Sequence, residues 1–201
     1  MSKSEIKRKW MDQMFFALCE YTSVSDHERS RFYDKTNLLK IKKNDHFIKA
    51  GDVPDKIAFI VQGIFRVYYT TLSGDENTLV FRDENKFLSA YSAFLESTES
   101  AYSFQALEDS VLLYISMKDY VELMTEGGCC QAVTTKYSQL LFVEKEKREK
   151  EFLGCDALER YTNFINQEPV LSGRVPQLYI ASYLGIKPET LSRIRKKLKL
   201  I

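Results

Sequence analysis

Residues Gln177 to Lys196 read QLYIASYLGIKPETLSRIRK. Ile180, Leu184, Ile186, Leu191 and Ile194 are apolar at the places where two short crossed helices must meet. Ala181 is small where such helices approach most closely, and Gly185 stands where the turn needs a residue that tolerates positive φ. The spacing is that of a helix-turn-helix, whose second helix enters the major groove of DNA.

That second helix opens at Pro188, whose missing N–H costs nothing in a first turn. Leu191, Ile194, Leu198 and Ile201 share one face and are expected to be buried. The other face carries Glu189, Ser192, Arg193 and Lys196. Arg suits guanine O6 and N7, and Glu accepts from cytosine N4. Lys187, Thr190, Lys196 and Lys199 are placed for phosphates, as is Gln177 on the first helix. From Arg174 onward there are seven basic residues and one acid, a net +6 that leaves the remainder at −5 in a chain of net +1. A basic end on a slightly acidic body points that end at a polyanion, double-stranded DNA.

Upstream, the period changes twice. Trp10, Met14, Phe15 and Leu18 fall at helical spacing over Ile6 to about Tyr21. Ser25 to Leu39 reads as a second helix, with Ser25 and Glu28 as a capping box. From Leu38 to Ser116 the chain holds short segments rich in β-branched and aromatic residues, separated by turn signals, which argues a barrel, roll or sandwich. Ser116 to Asp119 reads as another capping box, and Gly127-Gly128 ends the helix it starts. A long helix is expected from about Cys130 to Glu151, with Val133, Tyr137, Leu140, Leu141 and Val143 as a stripe able to pair with a second copy. The run Glu144 to Glu151 reads as a solvated face laced with ion pairs. Gly154 interrupts this helix, another runs from Cys155 to Asn166, and Val170 to Val175 is expected to be a linker.

The 201 residues suffice for one large domain or two small ones, and 44% hydrophobic with 28% charged residues fits a globular chain. No apolar run approaches a bilayer span and no signal peptide is evident, so a cytoplasmic chain without membrane contact is expected. Cys19, Cys129, Cys130 and Cys155 form no C-x-x-C pair, and the adjacent pair is read as packing rather than redox sensing. His27 and His46 supply too little for a metal centre, which sets aside a cupin-like enzyme; neither a cofactor nor catalysis is expected.

This order of β-roll, long helix and helix-turn-helix, with Gly51, Gly63, Gly74 and the segment Phe87 to Phe94, resembles the Crp/Fnr family of bacterial transcription regulators over nearly the whole chain. The resemblance implies an α+β fold. Residues 1–128 would be a cyclic-nucleotide-binding-like β-roll with flanking helices, residues 129–153 a dimerising helix, and residues 154–201 a helix-turn-helix domain, here ending without the family's wing. It implies a homodimer on a pseudo-palindromic site, RNA polymerase as partner if the protein activates, and an effector not yet identified. It matches Glu189 and Arg193 to the family's base-reading pair and puts Pro188 where a third reading Arg stands.

Members that bind cyclic AMP hold the ribose with a Glu and the phosphate with an Arg-Ser pair. The matching residues here are Ser89, Ala90 and Tyr91, then Ser100 and Ala101, so carboxylate and guanidinium are both missing. No basic side chain lies between Lys86 and Lys118 to replace the latter, and a buried phosphate without a cation is costly. Cyclic AMP is therefore not expected to bind in the family's usual way. The family's iron–sulfur branch needs a cysteine cluster that Cys19 alone does not supply, and its haem branch needs axial ligands that two histidines do not obviously provide. Phe81, Ser89, Tyr91, Ser92, Ser100, Tyr102 and Phe104 would line a pocket, either a cavity for a neutral or weakly polar ligand or one filled by its own side chains. A second reading is a sensor whose C-terminal helices contact a protein; the basic outer face beyond Pro188 separates the two, since protein-docking helices show apolar anchors.

Overall fold

The computed structural model describes residues 3–199; Ile201, placed above on the apolar face of the last helix, lies outside them. Helices α1 (Lys3–Leu18) and α2 (Asp26–Lys35) lead into strands β1 (Asn37–Ile41), β2 (His46–Ile48), β3 (Lys56–Gln62), β4 (Phe65–Thr70), β5 (Glu76–Arg82) and β6 (Phe87–Leu88). A short helix α3 (Tyr91–Glu96) precedes β7 (Ser103–Ala106) and β8 (Ser110–Ser116). The rest is helical: α4 (Met117–Thr125), α5 (Cys129–Gly154), α6 (Ala157–Gln167), α7 (Pro169–Arg174), α8 (Gln177–Tyr183) and α9 (Pro188–Lys197). No strand follows α9 among the described residues.

The strands form two antiparallel sheets, ordered β1-β8-β3-β6 and β2-β7-β4-β5. Ile60, Phe65, Val67, Leu88, Phe104 and Leu112 meet between them as the interior of the roll. Gly63, at φ +112°, makes the corner between β3 and β4. A Cβ there would overlap the Ser110 hydroxyl, so the close approach of β8 to this corner requires glycine. A second core joins α1 and α2 to the outer face of the first sheet through Met11, Phe15, Phe32, Phe59, Leu113 and Tyr120.

Several boundaries differ from the sequence reading. Helix α2 stops at Lys35 instead of Leu39, because Asn37 to Ile41 pair with Tyr114 to Ser110 along β8. Ladder bonding overrides helical continuation there. Helix α5 runs through Gly154 and closes at Cys155, whose N–H bonds to Glu151. The expected linker after α6 is the helix α7, started by Pro169 at its first turn. At α4 the capping box is only half made. Ser116 accepts from the Asp119 N–H at 3.0 Å, but the Asp119 carboxylate takes the Ser116 hydroxyl and the Lys35 ammonium. The two-residue β6 and helix α3 had no sequence signal.

Glu28 does more than close its own box. One carboxylate oxygen accepts from Ser25 N and Oγ, at 2.8 and 2.6 Å, and the other accepts from Cys129 N at 2.7 Å. The second bond caps α5, whose own N-cap, Gly128, has no side chain to offer. A Cβ on Gly128 would press on that carboxylate. So a residue a hundred positions upstream holds the start of the long helix. Among the described residues no helix is long and apolar enough to cross a membrane, and no cluster of three or more His, Cys, Asp and Glu could hold a metal.

The Ser25 hydroxyl first, then the Cys129 N–H, lower the Glu28 pKa from 4.5 to about 2. Because the folded value is depressed, this group contributes stability above the unfolded value and loses it as pH falls toward 2. Urea midpoints between pH 6 and pH 2.5 should fall more steeply in the wild type than in Glu28→Gln, the two curves converging at the acid end.

Candidate functional site

Helices α8 and α9 are joined by a turn over residues 184–187 and packed through Ile180, Ala181, Leu184 and Leu191, all buried. Gly185 holds φ +66°, and a Cβ there would meet the Phe152 ring at 2.9 Å. With Leu191 buried and Ile194 and Leu198 packed on the same core, the other face of α9 is outward. Lys187, Glu189, Ser192, Arg193 and Lys196 are exposed, Thr190 is half-buried, and Gln177 is exposed at the start of α8. Lys199 is exposed just past the end of α9. Not every basic residue of this end is available to a polyanion. Arg174 pairs with Glu84 and Glu108 of the roll, and Arg195 donates to Tyr161 Oη at 2.9 Å.

The pair is seated on the β-roll. Ile64, Phe81 and Leu107 of the roll share one core with α6 to α9. The centre of this contact is Arg66, 2% exposed, with its guanidinium 4.0 Å from the Tyr68 ring and 3.9 Å from that of Tyr179 on α8. Arg66 bonds to Glu76 at 2.5 Å and to Gln105 at 2.9 Å. Beside it, Ser182 Oγ accepts from Thr78 N at 2.8 Å and donates to Glu76 O at 3.1 Å. From the other side, Arg148 and Arg160 donate to the last carbonyls of this turn, at Tyr183 and Leu184. Arg148 also lies 3.8 Å from the Tyr183 ring.

On the opposite face of β5 lies a cavity of about 300 Å³ between the roll and α5. Ser89, Tyr91, Ser92, Tyr102 and Phe104 line it, as the sequence suggested. Phe81 and Ser100 do not. The pairing of Val67 with Val80 turns those two side chains into the roll, so Phe81, the next residue, points outward, where it meets Tyr183 at 5.3 Å. Ser100 is buried, with its hydroxyl bonded to the Tyr102 backbone, and pins the loop at Gly51 and Asp52. Tyr91 Oη, Tyr120 Oη and Thr134 Oγ1 form a hydroxyl chain at 3.2 Å per link along one wall.

Arg82 was missed. The stretch after Lys86 lacks basic residues, but Arg82 enters from β5, two residues after Val80 and on the same face. Period-two alternation from Val80 was the available signal. Its Nη1 donates to Glu144 of α5 at 2.8 Å. The expected neutral lining therefore includes one cation. Ser89 Oγ is buried beside the cavity with no hydrogen-bond partner. Burial raises the thiol of Cys129 to about 12 and that of Cys130 to about 11, so both are protonated packing groups at neutral pH.

The cyclic nucleotide-binding domain family matches residues 38–127. No curated protein sequence matches the chain. Among solved structures, a CooA variant from Carboxydothermus hydrogenoformans superposes with a TM-score of 0.70 at 16% identity, over 93% of this chain and 87% of that one. A protein assigned to the crp/fnr family of transcriptional regulators from Eubacterium rectale gives 0.69 at 16% identity, over 88% and 84%. FixK2 from Bradyrhizobium japonicum gives 0.68 at 18% identity, over 82% and 85%. The β-roll matches the cyclic nucleotide-binding domain, and the chain as a whole shares the fold of these three proteins. The likeness includes the β-roll, the long helix after it and the terminal helices.

In this fold, Arg66 is the cation that ties the α8–α9 pair to the roll. Its partner Glu76 is 45% exposed on its side chain, so water screens the charge left behind on truncation. Arg66→Ala should cost about 2–3 kcal/mol, through lost stacking and the acceptors of Glu76 and Gln105 left unpaired. Chemical denaturation measures this, and Tyr179→Ala in the same background should add much less than it does alone.

Proposed function

We propose that this protein is a homodimeric, sequence-specific DNA-binding transcription regulator whose α9 lies in the major groove. The observation that carries the reading is the outward face of α9, where Glu189, Ser192, Arg193 and Lys196 stand exposed opposite a buried apolar face. In this reading Arg193 bonds a guanine and Glu189 a cytosine. Gln177, Lys187, Thr190, Lys196 and Lys199 hold phosphates. Residues 1–128 sense, 129–153 dimerise and 154–201 read DNA. On α5, Val133, Tyr137 and Leu141 turn toward the protein's own roll. Leu140 and Val143, 47% and 43% exposed, together with Phe142 at 69%, remain for a second copy. A DNA partner places the protein in the cytoplasm, and RNA polymerase is its further partner if it activates.

Binding to duplex DNA followed by fluorescence anisotropy should weaken as salt rises. Site selection should return two half-sites about 34 Å apart. Arg193→Ala should cost about 1–3 kcal/mol at one base pair per half-site and relax the preference there. An unchanged base preference removes Arg193 from the reading role.

The family's usual signal does not fit the cavity. No carboxylate stands at residues 89 to 91 and no guanidinium at 100 or 101. Arg82, the cation that does line the cavity, has no carboxylate beside it among the lining residues to take a ribose. Isothermal titration of cyclic AMP should show no binding at micromolar concentrations; a micromolar dissociation constant overturns cyclic AMP independence.

A further inference from the structure

The β-roll cavity combines three features that arise separately. Its walls are mostly hydrocarbon and aromatic, from Leu79, Val80, Phe87, Phe104, Leu141 and their neighbours. A single arginine, Arg82, lines it at the border with the polar cleft that holds Glu144, and its guanidinium spends only Nη1 on that side-chain partner. One hydroxyl beside it, Ser89 Oγ, is buried and bonds to nothing. A buried orphan hydroxyl costs free energy unless something meets it. An arginine at the end of an apolar chamber binds a planar anion through two parallel hydrogen bonds.

We propose that the cavity binds an amphipathic monocarboxylate, with its apolar body in the chamber and its carboxylate on Arg82. The proposal rests on the reading of the β-roll as the sensing half of the regulator and names the class of molecule it senses. Size sets the body. A cavity of about 150 Å³ lined by Leu, Ile and Phe holds benzene. One of about 300 Å³ therefore takes roughly twice as much, on the order of ten carbons. Charge sets the head: a neutral head group would leave Arg82 with Glu144 and gain nothing from it, and a cationic one would be repelled. The lining holds no carboxylate to take the hydroxyls of a ribose, whereas a hydrocarbon body needs none.

The ligand carboxylate would compete with Glu144 for the same guanidinium. Glu144 lies one turn before Arg148, which holds the Tyr183 carbonyl at the end of α8. Binding in the chamber thus acts on the segment of α5 that supports the helix pair. The ligand's other wall, β5, carries Thr78, which bonds Ser182 of α8. Each route crosses from the cavity wall to the helix pair at one hydrogen bond, Arg148 to the Tyr183 carbonyl from α5 and Thr78 N to Ser182 from β5.

Isothermal titration with decanoate and 1-decanol, below their aggregation concentrations, tests this. Decanoate should bind about tenfold or more tightly than decanol. Arg82→Gln should bring the two within about threefold of each other, and Leu141→Trp should abolish binding of both by filling the chamber. Glu144→Gln, a change on a half-exposed helix face, should tighten decanoate binding about tenfold by removing the competitor. Equal affinity for decanoate and decanol in the wild type overturns the assignment of the head group, as does a preference that survives Arg82→Gln. Undiminished binding in Leu141→Trp overturns the location. If neither probe binds while specific DNA binding persists, the ligand class is wrong and the regulator reading stands; if decanoate binds as described and DNA does not, the converse holds.

Discussion

One strand, β5, has to satisfy two neighbours of opposite character. A register shift against β4 between Val67 and Tyr68 inserts Leu79 as an extra residue. Val80 and Arg82 then face the cavity, while Thr78 and Phe81 face α8 and the C-terminal core. Strict alternation without the bulge would send Thr78 and Phe81 to opposite faces. The seating of the helix pair on the roll depends on this single extra residue. So does the arrival of a guanidinium in an otherwise uncharged cavity.

The outer face of that sheet then needs a polar solution, since α8 lies on it. Arg66 supplies it by being flat. Its guanidinium stacks between two tyrosine rings while its edge reaches Glu76 and Gln105. A lysine could not fill the same slot, having neither a planar face nor the fork of donors. Arg148 and Arg160 play a related part on the other side, donating to backbone carbonyls at the end of α8. Those carbonyls are the acceptors that a helix end leaves without partners. Three arginines from three different elements thereby fix α8 against the roll and α5. They also leave the outward face of α9 clear, because each spends its charge on the body of the protein.

The long helix depends in the same way on a distant residue. Its N-cap is glycine, so its first N–H groups look elsewhere, and the Glu28 carboxylate reaches Cys129 N. Glu28 already closes the box of α2, and its two oxygens divide between the two helices. Lys35 adds a second tie between α2 and α4 through Asp119 and Glu122. The N-terminal helices are in this sense part of the scaffold for α5 rather than an appendage to the roll.

Much of this was written into the sequence by itself. The apolar spacing around Gly185 specifies two crossed helices, and the basic face beyond Pro188 follows from the same period. The short aromatic and β-branched segments between Leu38 and Ser116 specify strands, and Ser25 with Glu28 specifies a helix start. These features are local: each depends on residues within one or two turns of each other, where propensity and periodicity operate. The end of α2, the two-residue β6, the outward turn of Phe81 and the place of Arg82 were decided only by tertiary structure. Each depends on a partner far along the chain, such as Tyr114 for Asn37 or Glu144 for Arg82. A bulge has no sequence signature of its own, and a one-residue slip reverses every side chain beyond it. That is why the basic outward face of α9 was legible from its own residues, while the charge at the cavity was not.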